Sequence, residues 1–310
     1  MGSMSVPSVA ILMCTFNGAK FIAEQLDSFE AQTYLNWRLV VSDDGSTDDT
    51  IAILKSYQSR WPSGRLTIRQ GPGMGYATNF LSLISGAPFN ADFYALSDQD
   101  DVWLPQKLSA AVAYLAAQDA SLPLVYGGRT IYVDESLNEI GLSERFSFKC
   151  SFRNALMQSI MGGNTMVINH NTRLMIRRSG ITHAVSHDWW IYILVEGAGG
   201  RAYFDPEPYI LYRQHPGALV GANTGLRAII IRFRMLLEGR FKRWNAQNAK
   251  ALLSIRNMLD HHNLEIVEEY LRMRDASTLT RLRMINVCGF YRQGWQGSAS
   301  LLLAALLKKI

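Results

Sequence analysis

Three short apolar runs, each ending in polar or acidic residues and each followed by a helix-like pattern, restrict the architectures open to this chain. Val9 to Met13 runs into Cys14-Thr15-Phe16-Asn17-Gly18, after which Phe21, Ile22, Leu26 and Phe29 recur at helical spacing. Leu39-Val40-Val41 closes on Asp43-Asp44-Gly45-Ser46-Thr47-Asp48, and Phe93 to Leu96 closes on Asp98-Gln99-Asp100-Asp101-Val102-Trp103. The pattern predicts strands near residues 8–14, 38–43, 66–70 and 93–97, and helices near 18–31, 48–59, 75–86 and 105–117. This strand–helix alternation is that of an α/β fold with a mostly parallel sheet. Ser46 or Thr47 suits the N-cap of a helix running to about Tyr57, and Pro105 suits the first turn of the helix after the third acidic run. Residues 124–133 read as strand and 134–149 as a polar loop.

In open α/β sheets, ligands bind beyond the carboxyl ends of the strands, so one crevice can receive both acidic clusters. Hard carboxylate oxygens suit Mg²⁺ or Mn²⁺, which takes one or two carboxylates and completes its shell with water and substrate phosphates. Asp98 and Asp100 fit that role, although acidic loop ends also merely solvate turns.

The 310 residues fit one large domain or a domain with an appendage. Residues 1–4 read as an expression remnant with Met4 as the native start, and no signal peptide follows. Three cysteines without metal-ligand spacing argue for small buried side chains and a reducing, cytoplasmic setting. The longest apolar runs, such as Leu301 to Leu307, fall far short of the ~20 residues that cross a bilayer. Charge is divided unevenly: residues 226–310 hold 15 Lys and Arg against 6 Asp and Glu, whereas residues 1–225 hold 16 against 20.

The motifs, in this order and spacing, resemble the family 2 inverting glycosyltransferases with the GT-A fold. Cys14-Thr15-Phe16-Asn17 is similar to that family's first-strand turn, Asp43 to Asp48 to its DDGSTD segment, and Asp98-Gln99-Asp100 to its DxD metal motif. The likeness covers roughly residues 6–215. The extended DQDDVW, with Tyr212-Arg213-Gln214-His215 and Gly221, most resembles bacterial rhamnosyltransferases of surface polysaccharide synthesis.

That resemblance implies a nucleotide-sugar donor, first dTDP-L-rhamnose and alternatively a UDP-hexose, and a divalent metal, Mn²⁺ or Mg²⁺, as cofactor. It implies donor contacts from Cys14, Thr15, Asn17, Asp43, Asp44, Asp98, Gln99 and Arg213, with Asp44 accepting from the pyrimidine N3–H. Metal ligands would be Asp98, Asp100 and His215. Asp188 matches the base that takes the acceptor proton, beside Trp189 and Trp190, whose indole faces suit sugar C–H surfaces. Gly163 and Asn164 match a segment beside donor sugar and acceptor. Residue chemistry leaves plainer readings open: Asp188 favouring a helix N-terminus above core tryptophans, a tight turn at Gly162-Gly163, His215 as a simple hydrogen-bonding residue, and Arg213 paired with an acidic cluster rather than phosphate. The polar segment 134–149 is then a candidate cover for the acceptor.

A catalytic domain over residues 5–225 and a basic helical region over 226–310 follow. On a helical wheel Leu226, Ile229, Ile230, Phe233, Leu236, Leu237, Phe241 and Trp244 share one face, opposite Arg227, Arg232, Arg234, Lys242 and Arg243. Such a helix suits an anionic membrane surface carrying a lipid-linked glycan acceptor, and equally suits packing on the catalytic unit or in a homo-oligomer. A nucleic-acid binder driven by the tail is a rival class, but its basic residues oppose an apolar stripe and no nucleic-acid motif is present. An inactive scaffold is the other, opposed by the intact Asp98, Asp100 and Asp188.

Overall fold

The computed structural model describes residues 6–180, 184–215 and 234–310. Its centre is a seven-stranded sheet in the order β10-β6-β9-β4-β1-β2-β3. β1 (Val9–Thr15), β2 (Trp37–Asp43), β3 (Leu66–Gln70) and β4 (Phe93–Ser97) are mutually parallel, with β1 between β2 and β4. All seven residues of β1 are buried, as expected of a strand covered on both faces by helices. β6 (Leu124–Gly128) and β10 (Arg201–Asp205) pair in parallel at the far side, and β9 (Val167–Asn169) is antiparallel to both β4 and β6.

The chain lays down β1, β2 and β3 in one direction and then places β4 on the other side of β1. This reversal opens a crevice at the carboxyl ends of β1, β2 and β4, where the two acidic clusters emerge. The strands match their predicted spans within a residue or so, and α1 (Ile22–Glu30), α2 (Thr50–Arg60), α3 (Tyr76–Ser85) and α4 (Lys107–Ala116) are shorter than predicted. Buried Ile22, Gln25, Leu26 and Phe29 give α1 its inward face.

Capping differs from the sequence reading. α2 starts later than Ser46 or Thr47 would require, because Asp48 accepts from the Thr50 amide and hydroxyl. Pro105 stands ahead of α4 rather than in its first turn: the Lys107 amide bonds the Leu104 carbonyl, and Gln106 is the N-cap. The 124–133 run divides between two sheets at Gly128-Arg129-Thr130. The second, smaller sheet has the order β5-β11-β7-β8, with β5 Val102–Trp103, β7 Ile131–Val133, β8 Glu139–Leu142 and β11 Ile210–Arg213. Part of the expected 134–149 loop is therefore β8.

Helices Arg240–Ser254, His261–Asp275, Thr278–Val287 and Gly294–Leu306 follow. They share an apolar core with the sheet-bearing part of the chain: Leu252, Tyr270, Met273 and Leu301 lie in the same buried cluster as Phe152 and Trp190. Asn263 donates to the carbonyls of Glu196 and Gly197 at 2.9 and 3.0 Å, and the Gln293 amide donates to Gln158 at 2.7 Å. Leu226, Ile229, Ile230, Phe233, Arg227 and Arg232 of the expected amphipathic helix lie outside the described residues, as does Gly221. The helix's remainder is not continuous: Gly239, at φ 69°, interrupts it between residues 237 and 240 in a conformation that costs glycine little. Beyond the break Phe241 and Trp244 turn onto the core, Trp244 meeting Trp189 nearly perpendicularly at 6.5 Å.

Candidate active site

The crevice is built by three loops tied to one another. At the end of β1, Thr15 Oγ1 donates to Asp43 Oδ2 at 2.7 Å. Asp43 also accepts from the amides of Gly45 and Ser46 and from Ser46 Oγ, so this carboxylate shapes its own turn and is 6% exposed. Asn17 adopts φ 49°, accepts from the Thr47 amide at 2.8 Å, and gives its own amide to Ser46 Oγ at 2.8 Å. Gln99 closes the third side: Oε1 accepts from the Phe16 amide at 2.9 Å while Nε2 donates to the Phe16 carbonyl at 3.0 Å. Gly18 admits this side chain, since a Cβ there would stand 2.2 Å from Gln99 Oε1.

The expected donor set therefore divides. Cys14 is buried in the core beneath the crevice, and burial together with Asp98 and Asp44 pushes its thiol well above its ordinary range. Thr15, Asp43, Asn17 and Gln99 spend hydrogen-bonding atoms on holding the loops together. Asp44 is half-buried and accepts from the amides of Gly73 at 2.7 Å and Gly75 at 2.9 Å, thereby anchoring the glycine-rich loop before α3.

Arg213 is not placed to meet phosphate. It is 1% exposed, and its guanidinium donates to the carbonyls of Asp100 and Glu135 and forms an ion pair with Glu24. β11 brings it there by pairing with β5 directly after the acidic segment. Two residues on, His215 Nε2 lies 2.9 Å from Asp100 Oδ2. The end of β11 thus grips Asp100 at both its carbonyl and its carboxylate.

Asp98, Asp100 and Asp188 converge electrostatically. Asp98 is pushed up to about 7 by burial, then by the charges of Asp100 and Asp188. Such crowding fits a cation, and Asp98, Asp100 and His215 are hard-oxygen and imidazole donors suited to a divalent ion. Among the described residues no group of three or more His, Cys, Asp or Glu side chains is placed to hold a metal ion.

Asp188 occupies the first turn of α7 (His187–Gly197), where Oδ1 accepts from the Trp189 amide at 2.7 Å. Its tryptophan neighbours are not sugar platforms. Trp189 and Trp190 are 5% and 0% exposed, and Trp189 Nε1 donates to the Ala155 carbonyl, because α7 is buried along nearly its whole length. Gly163 and Asn164 are buried too. Asn164 Nδ2 donates to Asp101 Oδ2 at 2.6 Å, tying the acidic segment to the 3-10 turn Gly163–Thr165. Gly163 packs so closely on His187 that a Cβ would fall 2.1 Å from its Nε2.

Several residues of the site were not singled out in the sequence. Asp101 is fully buried and, with Asp100 and Asp98 beside it, is raised well above the carboxylate range by burial first. Lys107 is 2% exposed, with Nζ 3.5 Å from the Trp103 ring centre, and burial lowers it to about 7 against the pull of Asp101. Glu24, Tyr76 and His187 complete the group. Only the DDVW run hinted at a role for Asp101; for the others no local signal existed.

A crevice of carboxylates at the switch point of a mostly parallel sheet is the ligand-binding arrangement of an open α/β fold. Residues 10–183 match the glycosyl transferase family 2 profile, and the chain belongs to that family of glycosyltransferases. Among curated proteins it is 29% identical to the dTDP-rhamnosyl transferase RfbG of Shigella flexneri over 257 residues, 77% of this chain and 84% of that one. It is 32% identical to the protein EpsE of Bacillus subtilis over 111 residues, covering 36% and 39% of the two chains. Solved structures share the fold at low identity. TarS of S. aureus in complex with UDP-GlcNAc aligns with TM-score 0.54 at 16% identity, covering 90% of this chain and 79% of that one. The mannosyltransferase PcManGT of Pyrobaculum calidifontis, in complex with GDP-Man and Mn²⁺, aligns with TM-score 0.53 at 18% identity over 99% and 86%. Among the described residues no helix is long and apolar enough to cross a membrane.

Proposed function

We propose that this glycosyltransferase moves L-rhamnose from dTDP-L-rhamnose to a bacterial surface-glycan acceptor with inversion at the anomeric carbon. The approach of Asp98 and Asp100, just after β4, to Asp188 at the start of α7 carries the reading, because an in-line displacement needs one group at the leaving diphosphate and one at the attacking hydroxyl. The likeness to RfbG supports the donor.

Asp98, Asp100 and His215 would hold a divalent ion, which when bound supplies positive charge opposite the departing diphosphate. Asp188 receives the proton of the acceptor hydroxyl as its oxygen bonds to C1 and the bond from C1 to the diphosphate breaks. Asp44 receives the pyrimidine N3–H. Arg213 and Gln99 act as positioning residues, the first gripping the Asp100 main chain and the second fixing the acidic segment on the β1 turn. The acceptor is lipid-linked, and the basic C-terminal region contacts the anionic inner face of the membrane.

Calorimetric titration with dTDP, UDP and GDP, each with and without Mn²⁺, tests the reading. Metal-dependent binding selective for dTDP is expected. Selectivity for UDP would move the donor to a hexose, and absence of binding to all three would remove the case for an active transferase.

A further inference from the structure

The burial of Trp189 and Trp190 leaves the crevice without the aromatic surface that α7 was expected to supply. One comes instead from the start of α3. Tyr76 is 42% exposed, and its ring stands nearly perpendicular to that of His187, with centroids 6.0 Å apart and an interplanar angle of 77°. His187 is itself held by stacking on Phe80 at 4.1 Å. Upstream, the loop that delivers Tyr76 is fixed by the two bonds from Gly73 and Gly75 to Asp44, and Gly75 turns into the helix at φ 85°. An exposed aromatic side chain is thus clamped from both directions.

Its location follows from its neighbour, since His187 directly precedes Asp188 at the start of α7. Burial raises the Tyr76 phenol, and the carboxylates of Asp188 and then Asp98 add to that effect. In a direct displacement the donor sugar lies between the diphosphate, on the Asp98 side, and the attacking oxygen, on the Asp188 side. A ring adjoining His187 and within the field of both carboxylates borders the same space. Exposed aromatic surface bordering a binding crevice offers a ligand apolar area to cover.

We infer that Tyr76 is the platform on which the donor sugar ring lies, presenting its aromatic face to the sugar's C–H surface and favouring a 6-deoxyhexose, whose C6 methyl extends that apolar surface. This rests on the transferase reading above. It assigns the sugar contact to α3, whereas the nucleotide contacts remain with the β1, β2 and β4 loops.

The test compares the parent enzyme with Tyr76→Ala, Tyr76→Leu and Tyr76→Phe. Two quantities are measured with Mn²⁺: the Kd of dTDP, and kcat/KM for turnover of dTDP-L-rhamnose to dTDP with water as acceptor, with donor Kd as a second reading. Tyr76→Ala and Tyr76→Leu are expected to leave dTDP affinity within about twofold while reducing kcat/KM or donor affinity by about tenfold or more. Tyr76→Phe, which keeps the ring, recovers most of the loss. Equal losses for dTDP and dTDP-L-rhamnose would mean that the side chain acts through the Asp44-anchored loop, and would overturn the inference. So would unchanged donor kinetics in Tyr76→Ala, or a Tyr76→Phe as impaired as Tyr76→Ala. A parent enzyme that binds no nucleotide sugar would overturn the transferase reading itself, a result distinct from any of these.

Discussion

Gly163→Ala offers a sharp perturbation, because the structure fixes where the added carbon must go. The new Cβ would stand 2.1 Å from His187 Nε2 and 2.7 Å from its Cε1, far inside van der Waals contact. His187 has little room to yield, since Phe80 stacks on it at 4.1 Å and Tyr76 flanks it at 6.0 Å. Either the Gly163–Thr165 turn or the start of α7 has to shift. Overpacking of this kind costs about 1–3 kcal/mol, which corresponds to a fall in Tm of roughly 1–2 °C per kcal/mol for a chain of 310 residues. The functional consequence is larger than the loss of stability, because the ring being pushed belongs to the residue before Asp188. A misplacement of about 1 Å at a reacting group lowers turnover by about a hundredfold. Thermal melting and donor turnover would be measured on Gly163→Ala, His187→Ala and the double variant. If the clash is the cause, His187→Ala relieves it, and the double-mutant cycle returns a coupling of about 1 kcal/mol or more. Additivity within about 0.5 kcal/mol would refute the reasoning.

Asn164→Ala removes the 2.6 Å bond to Asp101 and leaves a fully buried carboxylate without that donor, so stability falls by about 2–4 kcal/mol in denaturant unfolding; a loss below about 0.5 kcal/mol would show that the bond is dispensable. His187 is lowered from 6.5 to about 4 by burial, with the charge of Asp188 opposing. A base depressed in the folded state binds more protons when unfolded, so its contribution is whole above pH 6.5 and is lost as pH falls toward about 4. That loss is about 3 kcal/mol, and His187→Phe should flatten stability against pH across that window. Asp188→Asn is expected to lower transfer by about 10²–10⁴-fold with dTDP affinity retained, whereas Asp100→Ala removes the Mn²⁺-dependent part of nucleotide binding; near-normal turnover in the first variant would displace Asp188 as the base. Vesicles containing anionic lipid should carry the protein upward in flotation at low salt and release it at high salt, and absence of binding at low salt would end the membrane assignment.

The sequence alone determined the strand–helix alternation, the carboxyl-end placement of the acids and the family. These features are local: a buried strand needs a run of apolar residues, and a ligand site at its end needs polar ones directly after it. Neighbouring residues with the same chemistry could not be told apart in this way. Asp43 and Asp44 are adjacent carboxylates, yet one is spent on Thr15, Gly45 and Ser46 while the other anchors the loop leading to Tyr76. Trp189 and Trp190 read in the sequence either as sugar platforms or as core, and the burial of α7 makes them core.

Arg213 read in the sequence as a partner of phosphate or of an acidic cluster; its ion-pair partner Glu24 stands 189 residues away, and only the pairing of β11 with β5 brings the two together. Tyr76 carried no signal at all, being an ordinary tyrosine after a glycine until tertiary packing set it against His187. Backbone propensity and apolar patterning act over a few residues and are written along the chain. Which donor meets which acceptor, and which ring remains exposed, depends on segments far apart in sequence, and was decided only when β1, β4, α3 and α7 came together around one crevice.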